Sequence, residues 1–396
     1  MSLNQTPRSN RLHIGIFGKT NSGKSSLINA IAGHDVALVS EQAGTTTDPV
    51  YKSMELNTIG PVVLIDTAGF DDNTALGKER EARTRDVISK TDVALLIFDD
   101  SEDMSDEIAW MNYLDEGKVP VIALISKNDI KDRSQLKERV KKQFGLDALM
   151  VSAKDKDVAH IIKRAVSEVV PEDFKRQSIL RNLIDEQGIA LLVMPQDIQA
   201  PKGRLILPQV QTIRELLDNH CVTVCTTVTG LEKALDTLKC APDLIITDSQ
   251  CFKEVSAVKP AESKLTSFSV LFAAYKGDIE EFIKGAAAID MLTEDSRVLI
   301  AEACTHAPLE EDIGRVKIPM MLRKKFGENL QIDMVSGSDF PDDLSPYDLV
   351  IHCGACMFNR KYMMSRVKQA KEQEVPMTNY GITIAHLTGI LNDVVY

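Results

Sequence analysis

One short motif constrains the fold of this chain more than any other feature. Residues 18–25, GKTNSGKS, match the pattern G-x-x-x-x-G-K-[ST], between the apolar run LHIGIFG and the helical pattern SSLINAIAG. That context predicts a phosphate-binding loop between a strand and a helix, where backbone N–H groups and the helix N-terminus attract phosphate. We expect Lys24 to reach the β- and γ-phosphates and Ser25 to bind Mg²⁺. The residues expected to contact nucleotide here are Gly18, Asn21, Ser22, Gly23, Lys24, Ser25 and Ser26.

Two further motifs follow in the order expected around a nucleotide triphosphate. The segment DTAG ends the apolar run VVLID, which places Asp66 as an outer-sphere Mg²⁺ ligand and the Gly69 N–H near the γ-phosphate. The segment GTTTD at 44–48 is similar to a first switch, in which one threonine closes on Mg²⁺. We choose Thr46 for this role by analogy with related G-T-T-R-D segments, with Thr45 and Thr47 as alternatives.

The base specificity is predicted from the segment SKND at 126–129, which follows the run VIALI. Asp129 can accept two hydrogen bonds from guanine, a pair that adenine cannot offer, so GTP is expected over ATP, with Lys127 beside it. Ser126 replaces the usual asparagine, which predicts a less fully supported loop. The residues Ser152, Ala153 and Lys154 resemble the last guanine-binding motif. Together these motifs resemble the translation-factor-like GTPases.

Two positions bear on the rate of hydrolysis. Phe70 stands where many signalling GTPases carry the glutamine that orients the attacking water, so slow intrinsic turnover is expected. Asn21 matches an asparagine that binds K⁺ in potassium-activated GTPases, although an ordinary loop asparagine is the alternative.

The rest of the chain alternates apolar runs with helical patterns, which favours parallel sheets covered by helices. We expect the α/β class: a P-loop GTPase domain with a mainly parallel sheet, then two smaller α/β domains. The predicted boundaries are a disordered tail at 1–10, the GTPase domain at 11–172, and further domains at 180–265 and 266–396. A net charge of −12 argues against nucleic acid as the main partner. A polar N-terminus and short apolar runs predict a cytoplasmic protein without a membrane anchor.

A cysteine and histidine set lies in the last third of the chain. Cys304 and His306 follow the run RVLIAEA, and His352, Cys353 and Cys356 follow the run DLVI. Strand ends converge in α/β sheets, so three thiolates can meet with a histidine in reach. Zinc, a [4Fe-4S] cluster and a redox dithiol remain open on this chemistry. The other four cysteines are expected to pack in the core: Cys221, Cys225, Cys240 and Cys251.

The P-loop together with C-x-H and H-C-x-x-C resembles the HydF family, the GTPases of [FeFe]-hydrogenase maturation. The resemblance extends through AGTTTDPVYKSMEL, APKGRLILPQV, LIITDSQ, CTHAPLEEDIGRVKIP, HCGACMFNR and PMTNYGIT. It implies a homodimer formed by the 180–265 domain and a [4Fe-4S] cluster on Cys304, Cys353 and Cys356 in the 266–396 domain, where His306 or His352 is a possible fourth ligand. It also implies a transient diiron subcluster, and radical-SAM maturases and the hydrogenase apoprotein as partners.

The expected function is therefore a GTP-hydrolysing scaffold that assembles and delivers the diiron subcluster. A ribosome- or tRNA-directed GTPase with a structural zinc site is the chief alternative, and a GTP-controlled electron-transfer protein is a third.

Overall fold

The computed structural model of the chain describes residues 6–32, 39–40, 49–56, 59–67, 77–175, 178–195, 205–303 and 312–396. These residues divide into two units, Met1–Arg176 and Gln177–Tyr396. The described part contains no helix both long and apolar enough to span a bilayer.

Within its described residues, the first unit forms a seven-stranded sheet in the order β2-β3-β4-β1-β5-β6-β7. The strands are β1 Leu12–Gly18, β2 Val39–Ser40, β3 Val50–Leu56, β4 Gly60–Asp66, β5 Val93–Phe98, β6 Val121–Ile125 and β7 Leu149–Met150. Strand β3 pairs antiparallel with β2 and β4, and the other pairs are parallel. The helices are α1 Lys24–Ala32, α2 Gly77–Ser89, α3 Ser105–Glu116, α4 Ser134–Phe144, α5 Val158–Val169 and α6 Glu172–Lys175.

The apolar character of β1 follows from its position in the sheet. All its residues are buried, because it lies between β4 and β5 and separates two apolar cores. The register pairs Ile16 with Asp66, and Gly18 with Ile97. This parallel pairing brings the end of β4 beside the loop that follows β1.

The second unit contains two four-stranded sheets among its described residues, in the orders β11-β10-β8-β9 and β13-β12-β14-β15. Every strand pair in them is parallel. The strands are β8 Ile189–Val193, β9 Val222–Thr226, β10 Leu244–Thr247, β11 Lys264–Ser267, β12 Arg297–Glu302, β13 Gln331–Ser336, β14 Leu349–His352 and β15 Met377–Asn379. The helices are α7 Leu207–Asp218, α8 Leu231–Thr237, α9 Phe252–Val258, α10 Phe268–Lys276, α11 Ile279–Ala286, α12 Ile318–Phe326, α13 Arg360–Glu372 and α14 Tyr380–Leu387.

The predicted fold class is confirmed: a P-loop domain with a mainly parallel sheet is followed by further α/β structure. Both sheets of the second unit contribute to one core, which includes Ile245 of β10 and Ile351 of β14. The predicted boundary at 265 lies inside β11, and residues Arg8–Asn10 of the predicted disordered tail form a short 3₁₀ helix with Ser9 buried. The other domain limits stay predictions.

The prediction that four cysteines pack in the core is wrong for two of them. Cys221 and Cys251 are buried, whereas Cys225 and Cys240 are exposed. Cys225 is exposed because it lies on β9, an edge strand that the described helices leave partly uncovered.

Candidate functional site

The phosphate loop joins β1 to α1 as the sequence predicts. Its backbone turns through Asn21 at φ 61° and Gly23 at φ 98°, conformations that asparagine and glycine tolerate best. Lys24 is buried, and its Nζ donates to the Lys19 carbonyl at 2.8 Å and to the Gly18 carbonyl. The ammonium is therefore held at the loop, where it can pair with phosphate oxygens.

Ser25 and Asp66 come together beside this loop. The Ser25 Oγ donates to Asp66 Oδ2 at 3.4 Å, and the Thr67 hydroxyl donates to the Ile16 carbonyl at 2.5 Å. A serine hydroxyl and an aspartate in this arrangement suit a hydrated Mg²⁺. Thr46 and Gly69 lie outside the described residues, as do Thr45, Thr47 and Phe70, so their roles stay predictions.

Asp129 has one donor on each carboxylate oxygen. Ser152 Oγ donates to Oδ1 at 2.8 Å, and Lys154 Nζ lies 3.0 Å from Oδ2. The Ser152 hydrogen bond and then Lys154 lower the pKa of Asp129 below its ordinary value. The Asn128 N–H also donates to the Val151 carbonyl at 3.3 Å, which joins the loops after β6 and β7. Asp129 is thus an ionised acceptor, as guanine recognition requires.

Two side chains tie the guanine-binding loop to the phosphate loop. Ser126 is buried, and its hydroxyl donates to the Ser22 carbonyl. Lys127 Nζ donates to the Asn21 carbonyl at 2.5 Å. Ser126 therefore anchors the loop although it replaces the usual asparagine, a contact that the sequence did not predict.

The phosphate loop also contains an ion pair that its motif does not indicate. Lys19 Nζ lies 3.3 Å from Oε2 of Glu107 on α3, whose side chain is only 2% exposed. The same ammonium donates to the Asp103 carbonyl. Burial raises the pKa of Glu107. Lys19 occupies a variable position of the motif, so no sequence pattern could have identified this pair.

The two strands that precede the cysteine segments are neighbours in the last sheet. Strand β12 pairs with β14, with Ala301 opposite His352. The Cys353 Sγ accepts the Ala303 N–H at 3.1 Å and the Ala355 N–H at 3.5 Å. Ala303 is the residue before Cys304. Cys304 and His306 themselves lie outside the described residues.

The donors around these thiols suit a metal-bound thiolate. Backbone N–H groups directed at a cysteine sulfur stabilise its anionic form. Cys353 and Cys356 are half-buried; burial raises the pKa of Cys356, and the Lys276 charge acts in the opposite direction. Without Cys304, the described residues contain no group of three or more potential metal ligands. The two backbone donors on Cys353 are therefore compatible with a thiolate at this position.

His352, predicted as a possible fourth ligand, has a protein partner at each ring nitrogen. Its ring is fully buried, with Nδ1 at 2.9 Å from the Cys353 carbonyl and Nε2 at 2.9 Å from Arg366 Nη1. Burial, and then the Arg366 charge, lower its pKa to about 3. The ring is therefore neutral and both of its nitrogens are already hydrogen-bonded.

A buried polar network surrounds the end of β12. Glu302 Oε2 lies 3.1 Å from Arg315 Nε, and its Oε1 accepts the Tyr380 hydroxyl at 3.2 Å. Gly314 is needed here, because a Cβ at this position would lie 2.0 Å from the Tyr380 hydroxyl oxygen. Glu302 thus holds the end of β12 two residues before Cys304.

The phosphate loop, the Ser25–Asp66 pair and the Asp129 loop on a mainly parallel sheet define a P-loop GTPase. Residues 13–127 match the family model described as 50S ribosome-binding GTPase. Residues 179–277 match the hydrogen maturase F dimerization domain, and residues 280–396 match the hydrogen maturase F tetramerization domain. The chain belongs to the hydrogen maturase F (HydF) family.

The curated relatives include two kinds of GTPase. GTPase Der from Wolinella succinogenes is 35% identical over 190 residues, covering 44% of this chain and 40% of the relative. The tRNA modification GTPase MnmE from Chromobacterium violaceum is 31% identical over 160 residues, covering 40% and 35%. The chain thus spans well under half the length of these relatives.

Among solved structures, Era from Aquifex aeolicus bound to GDP·AlF4⁻ is 26% identical, with a TM-score of 0.33 over 40% of this chain and 57% of that chain. The G domain of the T. maritima FeoB iron transporter is 22% identical, with a TM-score of 0.30 over 40% and 98%.

Proposed function

We propose that this chain is a GTP-hydrolysing scaffold that binds a [4Fe-4S] cluster and assembles and delivers the diiron subcluster to [FeFe]-hydrogenase. The observation that carries the proposal is the contact between Cys353 Sγ and the Ala303 N–H at 3.1 Å. It joins Cys353 to the residue before Cys304, in a chain whose residues 179–277 and 280–396 match hydrogen maturase F models.

Three thiolates would bind three irons of the cluster and leave the fourth iron open to ligand exchange. They belong to Cys304, Cys353 and Cys356. His306 remains the histidine proposed for the fourth position, since the nitrogens of His352 are occupied. The diiron subcluster is the cargo of the scaffold. An exchangeable fourth ligand suits a protein that must release what it holds.

In the GTPase domain, Lys24, Thr46, Asp66 and Gly69 would stabilise the charge that develops during hydrolysis. The absence of glutamine at Phe70 supports slow turnover. K⁺ bound at Asn21 would add positive charge next to the phosphates. The position of this side chain supports the idea, because Asn21 is exposed on the phosphate loop.

The proposed assembly is a homodimer in the cytoplasm, with radical-SAM maturases and the hydrogenase apoprotein as partners. The dimerization model at 179–277 supports the role assigned to the predicted 180–265 domain. The tetramerization model at 280–396 adds a larger assembly that the sequence did not suggest, in the same residues that carry Cys353 and Cys356.

Anaerobic reconstitution with iron and sulfide tests this function. About four iron and four sulfide per chain are expected, and Cys304→Ser, Cys353→Ser and Cys356→Ser should each lose the cluster. Cys225→Ser is the matched control, because Cys225 lies on the exposed edge strand β9. Stoichiometric zinc without iron would overturn the proposal, as would active [FeFe]-hydrogenase in cells that lack this chain.

A ribosome- or tRNA-directed GTPase is the second candidate, favoured by the 50S ribosome-binding GTPase model at 13–127. The net charge of −12 opposes it. GTP-dependent sedimentation with ribosomes, without iron binding, would select this candidate.

A further inference from the structure

Arg366 is a buried cation next to the cysteine loop. It lies on α13 and is 2% exposed. Its guanidinium carbon lies 4.6 Å from the ring centroids of Phe340 and Phe358 and 4.8 Å from that of Tyr362. No carboxylate in the described part of the chain pairs with it. Aromatic faces offset part of the cost of burying this charge, and the hydrogen bonds of the guanidinium must offset more.

Those hydrogen bonds fix the state of His352. Arg366 Nη1 lies 2.9 Å from His352 Nε2, and Nη2 donates to the Gly337 carbonyl and to the Tyr362 hydroxyl at 3.3 Å. A guanidinium only donates, so Nε2 is the acceptor and carries no proton. The proton of the neutral ring is then on Nδ1, which donates to the Cys353 carbonyl at 2.9 Å.

These hydrogen bonds connect α13, through the ring of His352, to the backbone of the residue that carries the thiol. Arg366 orients the ring of His352, and the ring holds the carbonyl of Cys353. The sulfur of Cys353 is in turn directed at the Ala303 N–H at 3.1 Å. Nε2 has one lone pair, so His352 could bind iron only by giving up Arg366.

We propose that Arg366 and His352 are positioning residues that hold Cys353 in the orientation its thiolate needs, and that His352 is not an iron ligand. The inference rests on the proposed cluster for its purpose. The positioning depends on hydrogen bonds that are present in the metal-free protein, so it can be tested separately from cluster binding.

The first experiment is residue-resolved hydrogen exchange on the full-length, metal-free protein. R366M should raise exchange of the Ala303 amide several-fold, because this amide donates to Cys353 Sγ. R366K keeps a positive charge beside the aromatic rings and should raise exchange of this amide less than R366M does. K368M is the control, since Lys368 is exposed on the same helix. Unchanged exchange at Ala303 in R366M, or an equal rise throughout α13 and β13, would overturn the proposal.

The second experiment uses the reconstituted protein and measures the rate of iron release to a chelator. R366M and H352F should each accelerate release several-fold, and the double variant should release iron no faster than the faster single variant, because the two residues act in one chain. The electron paramagnetic resonance spectrum of H352F should keep any nitrogen coupling seen in the unaltered protein.

Loss of a nitrogen coupling in H352F but not in R366M would make His352 a ligand and overturn the inference. Failure of the unaltered protein to bind iron would overturn the proposed function, while the hydrogen-exchange result would still decide the positioning.

Discussion

The two donors on Asp129 set its pH behaviour. Because the Ser152 hydrogen bond and then Lys154 lower its pKa below the ordinary value, the carboxylate is ionised at neutral pH. The preference for GTP over ATP is therefore expected to be constant between about pH 6 and pH 8. Asp129→Asn should shift the preference toward xanthine nucleotides, measured as kcat/KM for GTP and XTP. Asp132→Asn, at an exposed aspartate in the next turn, should retain GTP preference.

The pair of Lys19 and Glu107 is expected to hold the phosphate loop ready for nucleotide. Glu107→Gln should weaken GTP binding by about tenfold, since one partner of a buried charge pair is removed, with a smaller effect on kcat. Glu116→Gln, at an exposed position of the same helix, is the control.

The same pair predicts a pH effect. Burial raises the pKa of Glu107, so on acidification it is protonated before exposed glutamates and releases Lys19. GTP affinity should fall as the pH decreases, and this dependence should flatten in Glu107→Gln. An identical pH profile for both proteins, measured by nucleotide titration, would contradict a role for the pair.

Asn21 gives a prediction about monovalent cations. Turnover should be several-fold faster in K⁺ than in Na⁺ at equal ionic strength, and Asn21→Gly should remove the difference. Glycine is the suitable replacement because this residue has φ 61°, which alanine adopts only with strain. Equal rates in both salts for the unaltered protein would make Asn21 an ordinary loop residue.

At the scale of elements, α11 lies unusually close to β15. A Cβ on Gly285 would lie 2.0 Å from the Met377 carbonyl oxygen, so the helix must shift to accept any side chain. Gly285→Ala should lower the free energy of unfolding of the second unit by about 1–3 kcal/mol or more, measured by urea unfolding. Lys284→Ala is the control, because it changes the exposed neighbouring residue. If its urea midpoint is as low as that of Gly285→Ala, the steric explanation is wrong.

At the scale of the whole molecule, the nucleotide site and the Cys353 loop lie in separate units. Lys24 belongs to Met1–Arg176 and Cys353 to Gln177–Tyr396. Lys24→Ala should abolish GTP turnover and leave iron content unchanged, because it removes charge only at the phosphates. Cys353→Ser should leave GTP turnover largely unchanged and lose the iron. Measuring both properties in both variants checks this, and a large loss of turnover in Cys353→Ser would show that cluster binding controls hydrolysis directly.

The sequence by itself determined the order of strands and helices around both sites. Residues 18–25 and 126–129 are local motifs whose spacing must fit one nucleotide, and buried parallel strands require unbroken apolar runs. The same logic placed Cys353 at a strand end, because a C-x-x-C segment directly follows the run DLVI.

The tertiary structure decided which side chains hold these motifs in place. Ser126 meets the Ser22 carbonyl across 104 residues of sequence. Arg366 reaches His352 from α13, and Glu107 reaches Lys19 from α3. None of these contacts follows a helical or strand period, since each depends on how separate elements pack. The two nitrogens of His352 show the consequence: its position beside Cys353 suggested a ligand, and only the packing of Arg366 against it revealed that its lone pair is already used.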